Sequence, residues 1–213
     1  MMGIFDFLKS KSTEVMPEVA PDFYVDVRKN LFSGSLTQKQ LDGLNLLLGA
    51  TKGIFKQHRA YILATAYHET GYTMQPVRET KALTDGKAIA ILDSAFKKGQ
   101  LPWVRFPYWR LDNEGKSWLG RGYVQLTHKA NYIKASKELD IDLLSNPDKA
   151  MEPATAAKII VRGSVEGWFT GKSLYDFDNY KDMRKVINGT ERAALIASYA
   201  EHFERALGDE KNI

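Results

Sequence analysis

Residues 101–123, LPWVRFPYWRLDNEGKSWLGRGY, fit neither the period of a helix nor that of a strand. They carry Trp103, Trp109 and Trp118 and are interrupted by Pro102 and Pro107, so they read as a long aromatic loop, with a short β ribbon expected around Tyr123 to Leu126. Almost everything on either side is written at helical spacing. Thr37-x-x-Gln40 is a capping-box signature ahead of Leu41, Leu44, Leu47 and Leu48, which predicts a buried helix. Gln57 to His68 is rich in Ala, Leu and Tyr, and Gly71 follows in the place where a left-handed cap closes a helix, so Glu69 is expected at a helix C-terminus. Thr84 to Lys98, closed by Gly99, predicts another helix. So do Ala130 to Leu139, Pro153 to Phe169, Asn179 to Ile187, and Thr190 to Leu207 with Gly208 just beyond. The predicted fold class is mainly α, with a small irregular or β lobe at about 72–126. Pro17 and Pro21 mark residues 1–21 as a terminal segment and tether, leaving 22–213 as the folded body.

With 213 residues, 44% of them hydrophobic and 26% charged, the chain has the material for one globular core. Those proportions exclude disordered, collagen-like and membrane-spanning classes. The excess of 30 Lys+Arg over 26 Asp+Glu is +4, a mild attraction to polyanions or simply the charge of a soluble protein. No Lys/Arg stripe concentrates it, so no nucleic-acid partner is expected. Having no cysteine removes disulfides, thiolate zinc sites, iron–sulfur clusters and a cysteine nucleophile together. The four histidines are His58, His68, His128 and His202, and none forms an H-E-x-x-H pair, because Tyr72 stands where the second histidine belongs. Neither a metal nor another cofactor is expected. The opening MMGIFDFLKSKSTEVMPEV holds one short apolar run, broken by Asp6, which is neither a secretory signal nor a membrane span. The expectation is a cytoplasmic product without stable membrane insertion, monomeric by default.

Glu69 and Glu79 lie ten residues apart, around the turn GYTMQPVR. Hydrolysis of a glycosidic bond needs two carboxyl groups, one protonated to donate to the leaving oxygen and one ionised to activate water or attack. A carboxyl at a helix C-terminus beside Tyr67 and Tyr72 favours its protonated form, which makes Glu69 the candidate acid. Arg78 and Lys81 flank Glu79 and favour its charge, which suits the base. Two neighbouring glutamates are also the commonest of surface charges, and the pair alone does not choose between these readings.

A second constellation runs from Trp118 through Gly120-Arg121-Gly122-Tyr123-Val124-Gln125-Leu126-Thr127 to Asn131-Tyr132. Paired glycines let a backbone approach a ligand, and Gln125, Thr127 and Asn131 offer neutral hydrogen-bonding groups suited to sugar hydroxyls, N-acetyl groups or a water. The run lacks the third glycine of a dinucleotide fingerprint and the Gly-Lys-Ser/Thr of a P-loop. A turn entering a strand would use the same glycines.

His68-Glu69-Thr70-Gly71, the Gly120 to Thr127 run, Asn131-Tyr132 and Ile187-Asn188-Gly189 occur in the order in which they occur in family 19 chitinases and the related phage endolysins. The chain resembles that family over about residues 30–207. The resemblance implies a lysozyme-like, mainly helical α+β fold of two lobes with a catalytic cleft between them. It also implies inverting hydrolysis of β-1,4 bonds beside N-acetylglucosamine-type sugars. It places the acid on Glu69, the base on Glu79 and the water-holding hydroxyl on Thr127, the two carboxyl groups of an inverting pair standing about 6.5–9.5 Å apart. His68, Tyr72, Trp118, Arg121, Tyr123, Gln125, Asn131 and Asn188 are then the expected substrate-binding residues.

This sequence departs from the family at several points. Tyr72 stands where many members have a second glycine, Thr127 replaces the serine of plant enzymes, Thr190 follows Asn188-Gly189 where glycine is common, and the plant cysteines are absent. Asp85 and Glu114 remain alternatives to Glu79 as the base. Trp103, Tyr108, Trp109 and Trp118 either stack on sugars or fill the core of a small lobe. His68 is either a hydrogen-bonding neighbour of Glu69 or a packed side chain. Arg121 and Arg184 either orient a carboxylate, bind a peptide-stem carboxylate or form a structural ion pair. The expected partner is the glycan strand of peptidoglycan, cut by an endolysin that reaches it through a separate membrane pore protein. A chitinase and a non-catalytic glycan-binding protein of the same fold are the alternatives.

Overall fold

The computed structural model describes residues 22–208, so the segment 1–21 read as a tether lies outside the described residues. In chain order the helices are α1 (Asp22–Asn30), α2 (Gln38–Ala50), α3 (Lys56–Glu69), α4 (Asp85–Lys97), α5 (Lys129–Leu139), α6 (Pro153–Val165), α7 (Tyr180–Ile187) and α8 (Ala193–Leu207). The strands β1 (Val77–Arg78) and β2 (Arg121–Gly122) complete a mainly helical fold. The chain forms two compact units, one up to Gln75 and again from Ile160, the other from Pro76 to Ile159. Among the described residues no helix is long and apolar enough to cross a membrane.

The first unit is built around α3, in which every residue from His58 to Tyr67 is buried. Ala60, Ile62, Leu63, Ala64 and Ala66 lie there with Tyr61 and Tyr67 on all sides, so this stretch has no solvent face and serves as the core for its neighbours. Helix α8 packs along it, presenting Ile196, Ala197, Ala200, Phe203 and Leu207 at helical spacing, and α1 and α7 pack on α8 in turn. Nothing in the sequence reading marked α1 as a helix. Its whole contribution is Phe23 and Val27, one turn apart and both fully buried, each worth about 1.5–3 kcal/mol of burial. The capping box of α2 forms as expected: the Thr37 hydroxyl accepts from Gln40 N at 3.2 Å and Gln40 Oε1 accepts from Thr37 N at 2.9 Å. In the same helix Gly43 is obligatory, because a Cβ there would lie 1.9 Å from the Met74 carbonyl oxygen. Helix α6 stops at Val165 instead of Phe169, since Gly167 turns the chain at φ +69° and Phe169 folds back onto Gly163.

The second unit contains the aromatic loop. Val77 pairs with Gly122 and Arg78 with Arg121, antiparallel, and Leu126 bridges back to Arg121. The ribbon thus begins two residues before the expected Tyr123, because Gly122 at φ +93° and Gln125 at φ +55° turn the intervening residues back on themselves. A small core of Ala88, Leu92, Trp109 and Leu119 lies beneath, with Phe96, Leu101, Val104 and Tyr108 packed against it. At the base of the ribbon Arg121 is only 1% exposed. Its guanidinium donates to Asp148 at 2.9 Å, to the Tyr132 hydroxyl at 2.9 Å, to the Ser117 carbonyl at 3.1 Å and to Asp85. Arg78 bridges the same two aspartates at 2.8 and 2.6 Å, closing a box of two cations and two anions. The unit continues past residue 126 to Ile159 because Asp148, which completes this box, comes from the turn after α5.

Candidate active site

Glu69 is the last residue of α3, held there because Thr70 ends the helix and Gly71 reverses the chain at φ +61°. Its Oε1 accepts from Arg184 Nη1 at 2.7 Å, and that arginine, on α7, is buried to 4% exposure. Arg184 is fixed from behind by the Glu191 carbonyl at 3.1 Å. Of the readings open for Arg184, its geometry fits an ion pair that orients a carboxylate, the carboxylate being Glu69. Tyr61, buried two turns earlier on α3, feels both charges: burial pushes its phenol up to about 12, Arg184 draws it down and Glu69 raises it. Beside them His68 is half-buried with its ring 6.3 Å from that of Tyr199. Tyr72 is 45% exposed and lies in the left-handed region at φ +71°, its ring 4.6 Å from Tyr67 and its hydroxyl 3.3 Å from that of Tyr199. Burial, with the Tyr72 hydrogen bond second, raises the Tyr199 phenol to about 12.

Glu79 has a different setting. It opens a single 3₁₀ turn directly after β1. The Tyr108 hydroxyl donates to Oε1 at 2.6 Å and the Gly120 N–H donates to Oε2 at 2.8 Å, while Glu79 N donates to the Gly120 carbonyl at 2.7 Å. Gly120 is therefore hydrogen-bonded to Glu79 through backbone and side chain together. A Cβ on Gly120 would stand 2.8 Å from Gln125 Oε1 and 3.2 Å from Thr127 Cγ2, so the Gln125 and Thr127 side chains converge on the same glycine. Gln125 Nε2 donates to the Val77 carbonyl at 2.9 Å, and Asn131 Nδ2 donates to the Thr127 carbonyl at 2.8 Å. Glu79, Gly120, Gln125, Thr127 and Asn131 thus lie together in the second unit, which joins Glu79 to a run that the sequence showed apart from it.

The fold matches chitinase C from Streptomyces griseus at a TM-score of 0.58 and 18% identity, covering 93% of this chain and 79% of that one. It matches a bacterial family 19 chitinase at 0.51 and 20% identity, covering 97% of this chain and 93% of that one. The fold is that of a family 19 chitinase. In sequence, Endochitinase 1 and Endochitinase 3 of Solanum tuberosum are each 34% identical to the chain over 59 residues, 28% of this chain. The chain matches only 18% of the length of each of those relatives. No family model matches.

Within this family 19 chitinase fold, three of the expected substrate-binding residues are structural. Trp118 is 5% exposed, its indole N–H donates to Asp112 at 2.9 Å, and Tyr132 and Lys129 cover its ring, so no face is left for a sugar. Tyr123 is fully buried in the turn after β2. Arg121 is committed to the charge box, so the ion-pair reading is the correct one for it. Trp109 is likewise fully buried, donating to Asp93 at 2.9 Å, whereas Trp103 is 74% exposed. Asn188 is exposed, caps the end of α7 and accepts from Gly189 N at 2.8 Å. Of the alternative bases, Asp85 is held by two arginines, and Glu114 is 63% exposed beside Lys129 at 3.4 Å. The sequence reading gave Tyr108 a choice of sugar stacking or core packing and missed its bond to Glu79. Nothing in an aperiodic loop announces which way such a hydroxyl points.

Proposed function

We propose that the chain is a glycoside hydrolase that cuts β-1,4 bonds beside N-acetylhexosamine sugars by inversion, with Glu69 as the acid and Glu79 as the base. The observation that carries this is the setting of Glu79: each of its oxygens accepts from a neutral donor, and the nearby arginines Arg78 and Arg121 are held by Asp85 and Asp148. The Arg78 and Lys81 charges expected beside Glu79 are not on it, Arg78 being paired with Asp85 and Asp148 and Lys81 exposed, so two neutral donors orient this carboxylate instead. In the reaction, the C1–O bond breaks with its electron pair left on the glycosidic oxygen, which takes the proton of Glu69. A water held through the Thr127 hydroxyl bonds to C1 from the opposite side and gives its proton to Glu79. The pairing with Arg184 at 2.7 Å opposes the protonated form that the helix end and the neighbouring tyrosines led the sequence to suggest, so Glu69 serves as the acid only when it takes up its proton against the arginine, which then balances the carboxylate left behind. Gln125, Asn131, Asn188, His68 and Tyr72 are the side chains assigned to sugar or water.

Peptidoglycan strands are the proposed substrate, in the manner of an endolysin that lyses bacteria. Chitin oligomers are the second reading, favoured by relatives that are named as chitinases. Both are tested by incubating purified Gram-negative sacculi and N-acetylglucosamine oligomers with wild type and with Glu69→Gln. Reducing ends released by wild type and not by folded Glu69→Gln support the hydrolase, and fragment masses identify the polymer and the sugar at each new end. Intact polymers of both kinds in the presence of folded wild type overturn it in favour of a glycan-binding protein.

A further inference from the structure

Resting on the hydrolase reading, we propose that Tyr108 is a positioning residue for Glu79, its phenol fixing the rotation of the carboxylate and stabilising the charged form that accepts the proton of water. Tyr108 sits in the loop that the sequence left without regular structure, yet its place is closely determined. Its ring meets Trp109 edge-on at 5.1 Å between centroids and lies 4.2 Å from the His128 ring on the strained turn before α5. Trp109 is in turn fully buried and tied to Asp93 on α4, so the hydroxyl is carried by a packed core and not by a free loop. It reaches Glu79 Oε1 at 2.6 Å while Gly120 N–H reaches Oε2 at 2.8 Å. With one donor on each oxygen, the carboxylate cannot rotate about its terminal bond without losing both.

The chemistry of the donor matters as much as its place. Burial, followed by the hydrogen bond to Glu79 and the carboxylate's charge, pushes the Tyr108 phenol well above the usual tyrosine range, so it donates at every working pH. The charged groups around the pair are otherwise engaged or face water. Arg78 is bound to Asp85 and Asp148, Lys81 is exposed, Arg121 is in the charge box, and His128 presents its ring to the tyrosine. A neutral donor stabilises a carboxylate without the full electrostatic opposition to protonation that a paired cation supplies. That is what a base needs, and it contrasts with the arginine that holds Glu69.

The test is Tyr108→Phe, which keeps the ring against Trp109 and His128 and removes only the hydroxyl. The expected result is a thermal midpoint lowered by no more than a few degrees, kcat down about 10-fold, KM within about two-fold, and the acid limb of the kcat/KM profile moved up. Adding Tyr108→Phe to Glu79→Gln should cause no further loss, because the hydroxyl acts through that carboxylate. A separate readout does not need turnover: the side-chain carboxyl ¹³C signal of Glu79, assigned with Glu79→Gln, should respond at higher pH in Tyr108→Phe than in wild type. Wild-type kcat with an unmoved acid limb overturns the proposal, as does a rise in KM alone, which would make Tyr108 a sugar contact. An unmoved carboxyl response also overturns it. If the signal moves and wild type cleaves no glycan, the positioning of Glu79 stands and the hydrolase reading falls.

Discussion

Two glutamates ten residues apart in sequence are held by different means. Glu69 ends a helix buried from His58 to Tyr67 and is met by the guanidinium of Arg184 at 2.7 Å, a charge against a charge. Glu79 begins an irregular turn and is met by a phenol and a backbone N–H, neither of them charged. The difference follows from what each unit has to offer. The helical unit can bring a long cationic side chain through its core from a distant helix. In the loop-built unit Arg78 and Arg121 are held in a box with Asp85 and Asp148, and Glu79 accepts from neutral donors. One residue type thereby acquires two environments.

The largest effect should come from removing each carboxylate. Glu69→Gln and Glu79→Gln are expected to lower kcat by about 10²–10⁴-fold with little change in stability, checked by steady-state kinetics beside thermal unfolding. Removing the cation that distinguishes Glu69 comes next. Arg184→Met leaves that carboxylate partly buried without its partner and should cost about 3 kcal/mol in urea unfolding, the 20% exposure of the Glu69 side chain moderating the loss. A third change acts only on the Glu79 side: Gly120→Ala drives a Cβ to 2.8 Å from Gln125 Oε1 and 3.2 Å from Thr127 Cγ2. It should reduce kcat/KM about 10-fold by shifting the N–H that holds Glu79, while the circular dichroism spectrum is unchanged.

The smallest effect sharpens the loop unit's dependence on hydrogen-bonded carboxylates. Asp112 is held well below the usual aspartate range by the Lys116 N–H first, then by the Trp118 indole and, after them, by Glu114 N–H and Lys129. A depressed folded value stabilises the protein above the unfolded value, taken as 3.8, and that contribution is lost as the pH falls through the folded one. Asp112→Ala should therefore differ from wild type in urea midpoint by a constant amount near pH 7, and the difference should shrink steadily below about pH 4.

Legibility followed periodicity. The capping box at Thr37, the end of α3 at Glu69 and the glycine closing α4 were all readable, because caps are local and carry fixed residue types. The short α1 was not, since two buried side chains give too little pattern to mark a helix. The Gly120 to Thr127 run was legible as a motif, but its bonds to Glu79 were not, since they join residues 41 positions apart. The inward turn of Trp118, Arg121 and Tyr123 was not, because a loop without a period has no readable inside and outside. Arg184 was recognisable as a candidate for orienting a carboxylate. That Glu69 is the carboxylate depends on a contact spanning 115 residues, which no local pattern encodes.

The division of labour between the two glutamates is tested most directly by changing the leaving group. Wild type, Glu69→Gln and Glu79→Gln would be assayed on an N-acetylglucosamine oligomer and on the same oligomer carrying an activated aryl aglycone, which departs without being protonated. Glu69→Gln should recover much of its lost rate on the aryl substrate, and Glu79→Gln should remain equally impaired on both. Equal impairment of both variants on both substrates, or recovery by Glu79→Gln alone, would contradict the assignment of acid to Glu69 and base to Glu79.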